Sequence, residues 1–238
     1  MKAIAASLIL FTLTNLAQAG AQTGPQAERL PDGEVTRLGG WSAWLTGPTN
    51  RYAHGALGDR IEASGFAASH AGKTYTFELD DSHVFEDRRV RLVELDGDPS
   101  PECVIIRASQ TGGAAIAIYD IGPDGISLKA ETPDIGRPNR WLNIAGFGDF
   151  TGRGTTEIAA VVTPHIAGSL RIYEVVGRRI IERARIDGYT NHINGTRDLD
   201  LAQIADVNGD GVLDIALPRI KDGSPAVVTF AGGKAREL

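Results

Sequence analysis

Cysteine is nearly absent: Cys103 is the only one in 238 residues. That excludes an internal disulfide and any paired-cysteine metal or redox site. Cys103 opens the apolar run Cys103-Val-Ile-Ile106, and no histidine pattern points to it, so it reads as a buried structural thiol. Aromatic residues make up only 6% of the chain, and Met1 is the sole methionine. There is no block of lysine and arginine, and the net charge is −6. This balance argues against nucleic acid or an anionic membrane surface as the main partner. After residue 17 no apolar run is long enough to cross a membrane, and apart from short Ala-rich runs none keeps a 3.6-residue period. Gly-x-Ser-x-Gly, His-Glu-x-x-His and phosphate-cradling glycine loops are missing. The histidines, at 54, 70, 83, 165 and 192, have no metal-ligand spacing.

What the chain does have is 29 glycines within a 42% apolar composition, which suits a turn-rich all-β domain with its own core. The N-terminus reads as a secretory signal. Lys2 gives a positive start, Ala3 to Leu16 is apolar, and Ala17-Gln-Ala19 offers a small-residue cleavage site. Loss of residues 1–19 would leave 23 basic and 30 acidic residues, a charge of −7. Residues 20–33 are polar and carry two prolines, so they read as a linker or frayed arm ahead of a domain over 34–238.

The most informative segment is Asp206-Val-Asn208-Gly-Asp210-Gly-Val212-Leu-Asp214. Oxygen-bearing side chains fall at loop positions 1, 3, 5 and 9, with Gly211 at the sharp turn. Calcium takes six to eight hard oxygen ligands, and such a loop supplies them, with the Val212 carbonyl as the position-7 donor. A plain glycine turn is the alternative, but it leaves three carboxylates repelling one another. The residue at position 12 is Leu217, and Ile-Ala-Leu reads as a strand, so this is not an EF-hand.

The loop recurs. Glu94-Leu-Asp96-Gly-Asp98-Pro-Ser-Pro-Glu102 and Asp149-Phe-Thr151-Gly-Arg153-Gly-Thr-Thr-Glu157 align with it, each ahead of an apolar strand. The anchors Glu102, Glu157 and Asp214 are 55 and 57 residues apart, and Leu57-Gly-Asp59-Arg-Ile-Glu62 is an eroded fourth copy. Such periods mean propeller blades or repeat arrays. Between loops the pattern predicts four short strands per repeat. They fall at Val90–Leu95, Cys103–Ala108, Ala114–Asp120 and Ile126–Glu131, then at Leu142–Gly146, Ile158–Thr163, Ser169–Val176 and Arg179–Ile186. Val35–Leu38 and Trp41–Leu45 add two more, leaving four or five blades open.

On these loops and strands, residues 50–238 resemble the FG-GAP/VCBS repeat family, whose propellers are similar to the integrin α-subunit head. The resemblance implies a β-propeller of four-stranded antiparallel blades. It implies calcium ligands at Asp206, Asn208, Asp210 and Asp214, and at Glu94, Asp96, Asp98 and Glu102, where Glu94 departs from the family's Asp. At 149–157 the pattern fails: Thr151 replaces an acid or amide, and Arg153 takes the central carboxylate position. There the guanidinium is expected to replace the ion between Asp149 and Glu157.

Eight residues past each anchor stand His70, Gln110, His165 and Asp222, and Arg140 and Arg197 each precede a loop by nine residues, with Trp141 and His192 nearby. On a propeller these would ring one end of the axis, opposite the calcium loops, as a ligand face. The plainer reading is that hairpins tolerate polar residues there. The resulting expectation is an exported, periplasmic or secreted calcium-binding propeller, a monomer that binds a protein or glycan. The alternative is a periplasmic glycan or phosphoester hydrolase using His70, His165 and Asp222 on that face.

Overall fold

The computed structural model describes residues 28–238, so the signal peptide and most of the expected linker lie outside the described residues. The described chain is all-β, with antiparallel sheets and a single 3-10 turn at Ala231–Gly233. Seventeen strands follow in order. They are β1 Thr36–Leu38, β2 Trp41–Thr49, β3 Glu62–His70, β4 Lys73–Glu78, β5 His83–Phe85, β6 Arg91–Val93, β7 Glu102–Ser109, β8 Gly113–Gly122 and β9 Gly125–Glu131. Then come β10 Leu142–Gly148, β11 Glu157–Val162, β12 Ser169–Val176, β13 Arg179–Asp187, β14 Gln203–Ala205, β15 Asp214–Pro218, β16 Pro225–Thr229 and β17 Arg236–Glu237.

These strands make four antiparallel units. β1–β4 form the first and β6–β9 the second. The short β5 stitches the two into one nine-stranded sheet, pairing Ala63 with Phe85 on one side and Val84 with Ala108 on the other. β10–β13 and β14–β17 are separate four-stranded sheets. The predicted strands of the two middle repeats all form, within a few residues at their ends. β3, β4 and β5 were not anticipated as strands. β3 is rich in Ala, Ser and Gly, which carry little strand signal, and it forms because both its faces are covered.

The apolar runs are explained by burial on two sides. Successive side chains point to opposite faces of a strand, so a central strand covered on both faces must be apolar throughout. In β7, Cys103 and Ile105 pack with Phe66, Phe85 and Tyr119 against the first unit. Val104 and Ile106 turn the other way, onto Trp141, Ile144, Ile158 and Ala160 of the third. In β11, Ala159 and Val161 continue to Ile215, Leu217 and Val228 of the fourth. Three apolar layers thus join four units. The fourth unit's lead-in returns to the first by polar contacts. The Gly195 amide donates to the Ala56 carbonyl at 2.9 Å, and Arg197 pairs with Asp32 and Asp59 at 2.9 and 2.7 Å.

The arm expected over 20–33 is docked in its described part. Arg29 bridges to Thr46, the Leu30 amide donates to the Leu45 carbonyl at 3.0 Å, and Leu30 is buried. Cys103 is fully buried, and burial pushes its thiol far above the usual range, with Glu102 adding to the shift.

Close approach of backbone fixes Gly168 ahead of β12. Its φ is +62°, and a Cβ there would lie 1.9 Å from the Tyr189 carbonyl oxygen, whose segment donates back to the Gly168 carbonyl. Gly168→Ala is therefore expected to destabilise the fold by about 2 kcal/mol or more, combining left-handed strain with a backbone clash. A melting temperature within one degree or so of the parent would contradict this.

Candidate functional site

Four carboxylates occupy one equivalent place. Glu62, Glu102, Glu157 and Asp214 are each the first residue of a strand, β3, β7, β11 and β15; that strand is the second of its unit in three units and the third in the first unit. Each sits opposite the last residue of the preceding strand: Thr49, Val93, Gly148 and Ala205. All are buried, at 2%, 1%, 0% and 0% exposure. A charge held there costs several kcal/mol unless something compensates it. Glu62 shares this pairing with the others, one strand further along its unit.

In three units one carboxylate oxygen closes the loop in the same way. The amide at loop position 2 donates to it: Leu95 to Glu102 Oε2 at 2.9 Å, Phe150 to Glu157 Oε2 at 3.0 Å, and Val207 to Asp214 Oδ2 at 3.0 Å. The position-1 acid holds the turn from outside. Asp206 accepts from the amides of Gly209, Asp210 and Gly211 at 2.8–3.2 Å. Asp149 accepts from Gly152, Arg153 and Gly154 at 2.7–3.0 Å. Glu94 accepts from Asp96 and Gly97 at 3.2 and 2.6 Å. Gly211 has φ +84°, the left-handed backbone that the sharp turn needs.

The loops differ at the other anchor oxygen. In the 206–214 loop, Asp214 Oδ1 is buried and has no hydrogen-bond partner. Asn208 and Asp210 each accept from the amide two residues on, Asp210 and Val212, both at 2.9 Å. Asp206, Asn208 and Asp210 are exposed, so the loop carries hard oxygens in the same segment as one unpartnered buried carboxylate oxygen, although among the described residues only the 94–102 loop brings three carboxylates within 4.8 Å of one another. That donor chemistry fits a calcium ion.

In the 94–102 loop the position is filled from another strand. Lys129 of β9, itself buried, donates from Nζ to Glu102 Oε1 at 2.7 Å, Asp96 Oδ2 at 2.5 Å and Asp120 Oδ1 at 2.9 Å. Burial alone would lower the Lys129 pKa, but the three carboxylates outweigh it and hold the ammonium above its ordinary range. Glu94, Asp96 and Glu102 converge here, with one oxygen from each within 4.8 Å of the others. Asp98 stands apart, accepting from Ser100.

The expectation for 149–157 is corrected. Among the described residues Arg153 makes no ion pair; only its backbone amide engages Asp149. Glu157 needs no cation, because the Thr151 hydroxyl donates to Oε1 at 2.6 Å and the Phe150 and Thr151 amides donate to Oε2 at 3.0 and 2.9 Å. Thr151, read from sequence as a lost ligand, is thus the compensating group. Glu62 has a fourth solution. Among the described residues it makes no ion pair, and burial, then Glu86 and Asp59, push its carboxyl up to about 9, so it is a neutral acid at pH 7.

The expected ligand ring does not assemble as a connected set. Trp41 stacks on His70 at 4.6 Å, Gln110 donates to the Asp81 carbonyl, and Asp222 accepts from Ser224. Arg140 donates to the Asn139 carbonyl, and Arg197 is engaged by Asp32 and Asp59. Of the named residues, only His165 and His192 meet, at 2.8 Å beside Trp141. His192 Nε2 faces the Thr196 carbonyl at 3.1 Å and must donate, so His192 Nδ1 accepts from His165 Nε2. Desolvation is the first cause that lowers both histidines, His165 to about 4, so the pair is neutral at pH 7. Unanticipated from sequence is buried Glu86, which meets His54 Nδ1 at 2.5 Å with Oε1 and leaves Oε2 unpartnered.

No protein-family model and no curated protein matches this chain.

Two outcomes follow from the anchor chemistry. Thr151→Val should cost about 1–3 kcal/mol, because it strips a buried carboxylate oxygen of its donor, whereas Arg153→Ala should change stability by only a few tenths. Equal losses in denaturant unfolding would return Arg153 to the role expected from sequence. For Glu62 the folded pKa is raised, from 4.5 to about 9. Its stabilising contribution is therefore complete below pH 4.5 and drains away as pH rises toward 9. Glu62→Gln should raise the melting temperature relative to the parent increasingly between pH 6 and 9. A pH-independent difference would contradict the neutral-acid assignment.

Proposed function

We propose that this chain is an exported, calcium-stabilised β-propeller of the FG-GAP/VCBS type that serves as a binding or scaffold module. The observation that carries the reading is Asp214 Oδ1, a buried carboxylate oxygen with no partner at the base of a loop of hard oxygen donors. Native structures almost always satisfy such an atom, and a divalent cation does so while relieving the repulsion of Asp206, Asp210 and Asp214. Four antiparallel units layered through apolar faces, each with its anchor at the same register, support blades of one propeller and favour four over five. The apolar N-terminal run ending in Ala17-Gln-Ala19 supports export to the periplasm or beyond, where calcium is abundant enough to fill a loop of modest affinity.

A binding role is preferred to hydrolysis. The hydrolase reading relied on His70, His165 and Asp222 acting together, and each is engaged by different local partners. A protein or glycan is the class of partner proposed. No helix among the described residues is long and apolar enough to cross a membrane.

Calcium should raise the melting temperature, by an increment equivalent to about 2.7 kcal/mol at a hundredfold excess over Kd. Asp210→Ala should remove most of that increment. An identical melting curve in calcium and in chelator would overturn the calcium reading.

A further inference from the structure

We propose that the Lys129 ammonium takes the place of the ion in the 94–102 loop, so that the folded chain carries one calcium, at 206–214, where its ligand pattern predicts two. The inference builds on the calcium reading above and concerns which loops can use it.

The argument starts from register. In the second unit Ile118 pairs with Ala130 and Tyr119 with Leu128, so Lys129 is the extra residue of a β-bulge. In the third unit Ile172 pairs with Ala184 and Tyr173 with Glu182, so Arg183 is the extra residue of the equivalent bulge. A bulge redirects its extra side chain, and both bulges aim a cation back at the acid beside the anchor. Arg183 reaches Glu174, at 2.6 Å, which lies directly across from Glu157. Lys129 reaches Asp120, which by the Cys103–Tyr119 pairing lies across from Glu102, and its compact ammonium continues to Glu102 and Asp96. In the fourth unit β16 and β17 pair without a bulge, and the Ile215–Val228 pairing puts Thr229 across from Asp214. Among the described residues no cation pairs with that anchor, and its second oxygen is the orphan.

The carboxylate positions agree. Glu94, Asp96 and Glu102 come within 4.8 Å of one another, and the Lys129 ammonium already stands among them, paired with Asp96 and Glu102. An incoming calcium would have to expel a buried lysine and leave its charge beside a divalent ion.

Calorimetric calcium titration of the full chain tests this with four proteins. The parent should bind one equivalent, Asp210→Ala none, Lys129→Met two, and the double variant one. Two equivalents in the parent, or one remaining in Asp210→Ala, would overturn the proposal while leaving calcium binding intact. These two measurements need no Lys129 variant, so they decide the matter even if Lys129→Met does not fold. A folded Lys129→Met, checked by circular dichroism, that gains no site would also overturn it. No binding by the parent with one site gained in Lys129→Met would instead overturn the 206–214 reading and sustain the role of Lys129.

Discussion

The structure depends on burying a carboxylate at the start of one inner strand in each unit. In three units one of its oxygens accepts the loop's second amide, which pins the loop to the sheet and sets where the strand begins. That bond is local and repeats from unit to unit. In those three units, among the described residues, no backbone donor reaches the second oxygen, and its compensation is left to the side chains around it. A buried charge cannot go unanswered at modest cost, so each unit must supply something. The four answers are a neutral acid at Glu62, an ammonium at Glu102, a hydroxyl with backbone amides at Glu157, and at Asp214, whose second oxygen has no protein partner, the cation of the proposed function.

The stacking of units constrains those answers. Central strands covered on both faces favour apolar side chains, so a buried charge sits most readily near a strand end, where sheet gives way to loop. The anchors, Lys129 and Thr151 all stand at such margins or at a bulge. Lys129 can place its charge there because the bulge releases one side chain from the alternation that commits its neighbours Leu128 and Ala130 to the ladder.

Much of this was legible in the sequence. The anchors and loops repeat in plain view, and turn glycines bracket the β-branched runs, so the strands of the middle repeats fall where expected. The compensating groups were harder to see because each acts across sequence distance. Lys129 lies 27 residues from Glu102, and only the paired motifs Ile118-Tyr-Asp120 and Ile172-Tyr-Glu174, with Lys129-Ala130 and Arg183-Ala184 behind them, hint at a shared bulge. Arg153 misled because loop position suggests proximity, whereas its side chain is free to leave an open turn. Thr151 was discounted because a hydroxyl is a poor calcium ligand, although it is a good donor to a carboxylate. The polar residues eight past each anchor share a position without sharing contacts. The length of the hairpin fixes that spacing, and no common ligand is needed to explain it.

The choice of compensator decides how each loop responds to its surroundings. A hydroxyl is indifferent to both ions and pH in the working range. An ammonium held by three carboxylates is kept above its ordinary pKa range. A neutral acid weakens as the medium becomes alkaline, and under the proposed calcium reading the unpartnered oxygen of Asp214 draws on a cation from solution. Graded sensitivity within one repeat architecture therefore needs no change of fold. It follows from which side chain, if any, a neighbouring strand can deliver to the anchor's second oxygen. In the fourth unit the unbulged pairing of β16 with β17 delivers none among the described residues, and under the proposed calcium reading this makes 206–214 the loop whose stability belongs partly to the solution around it.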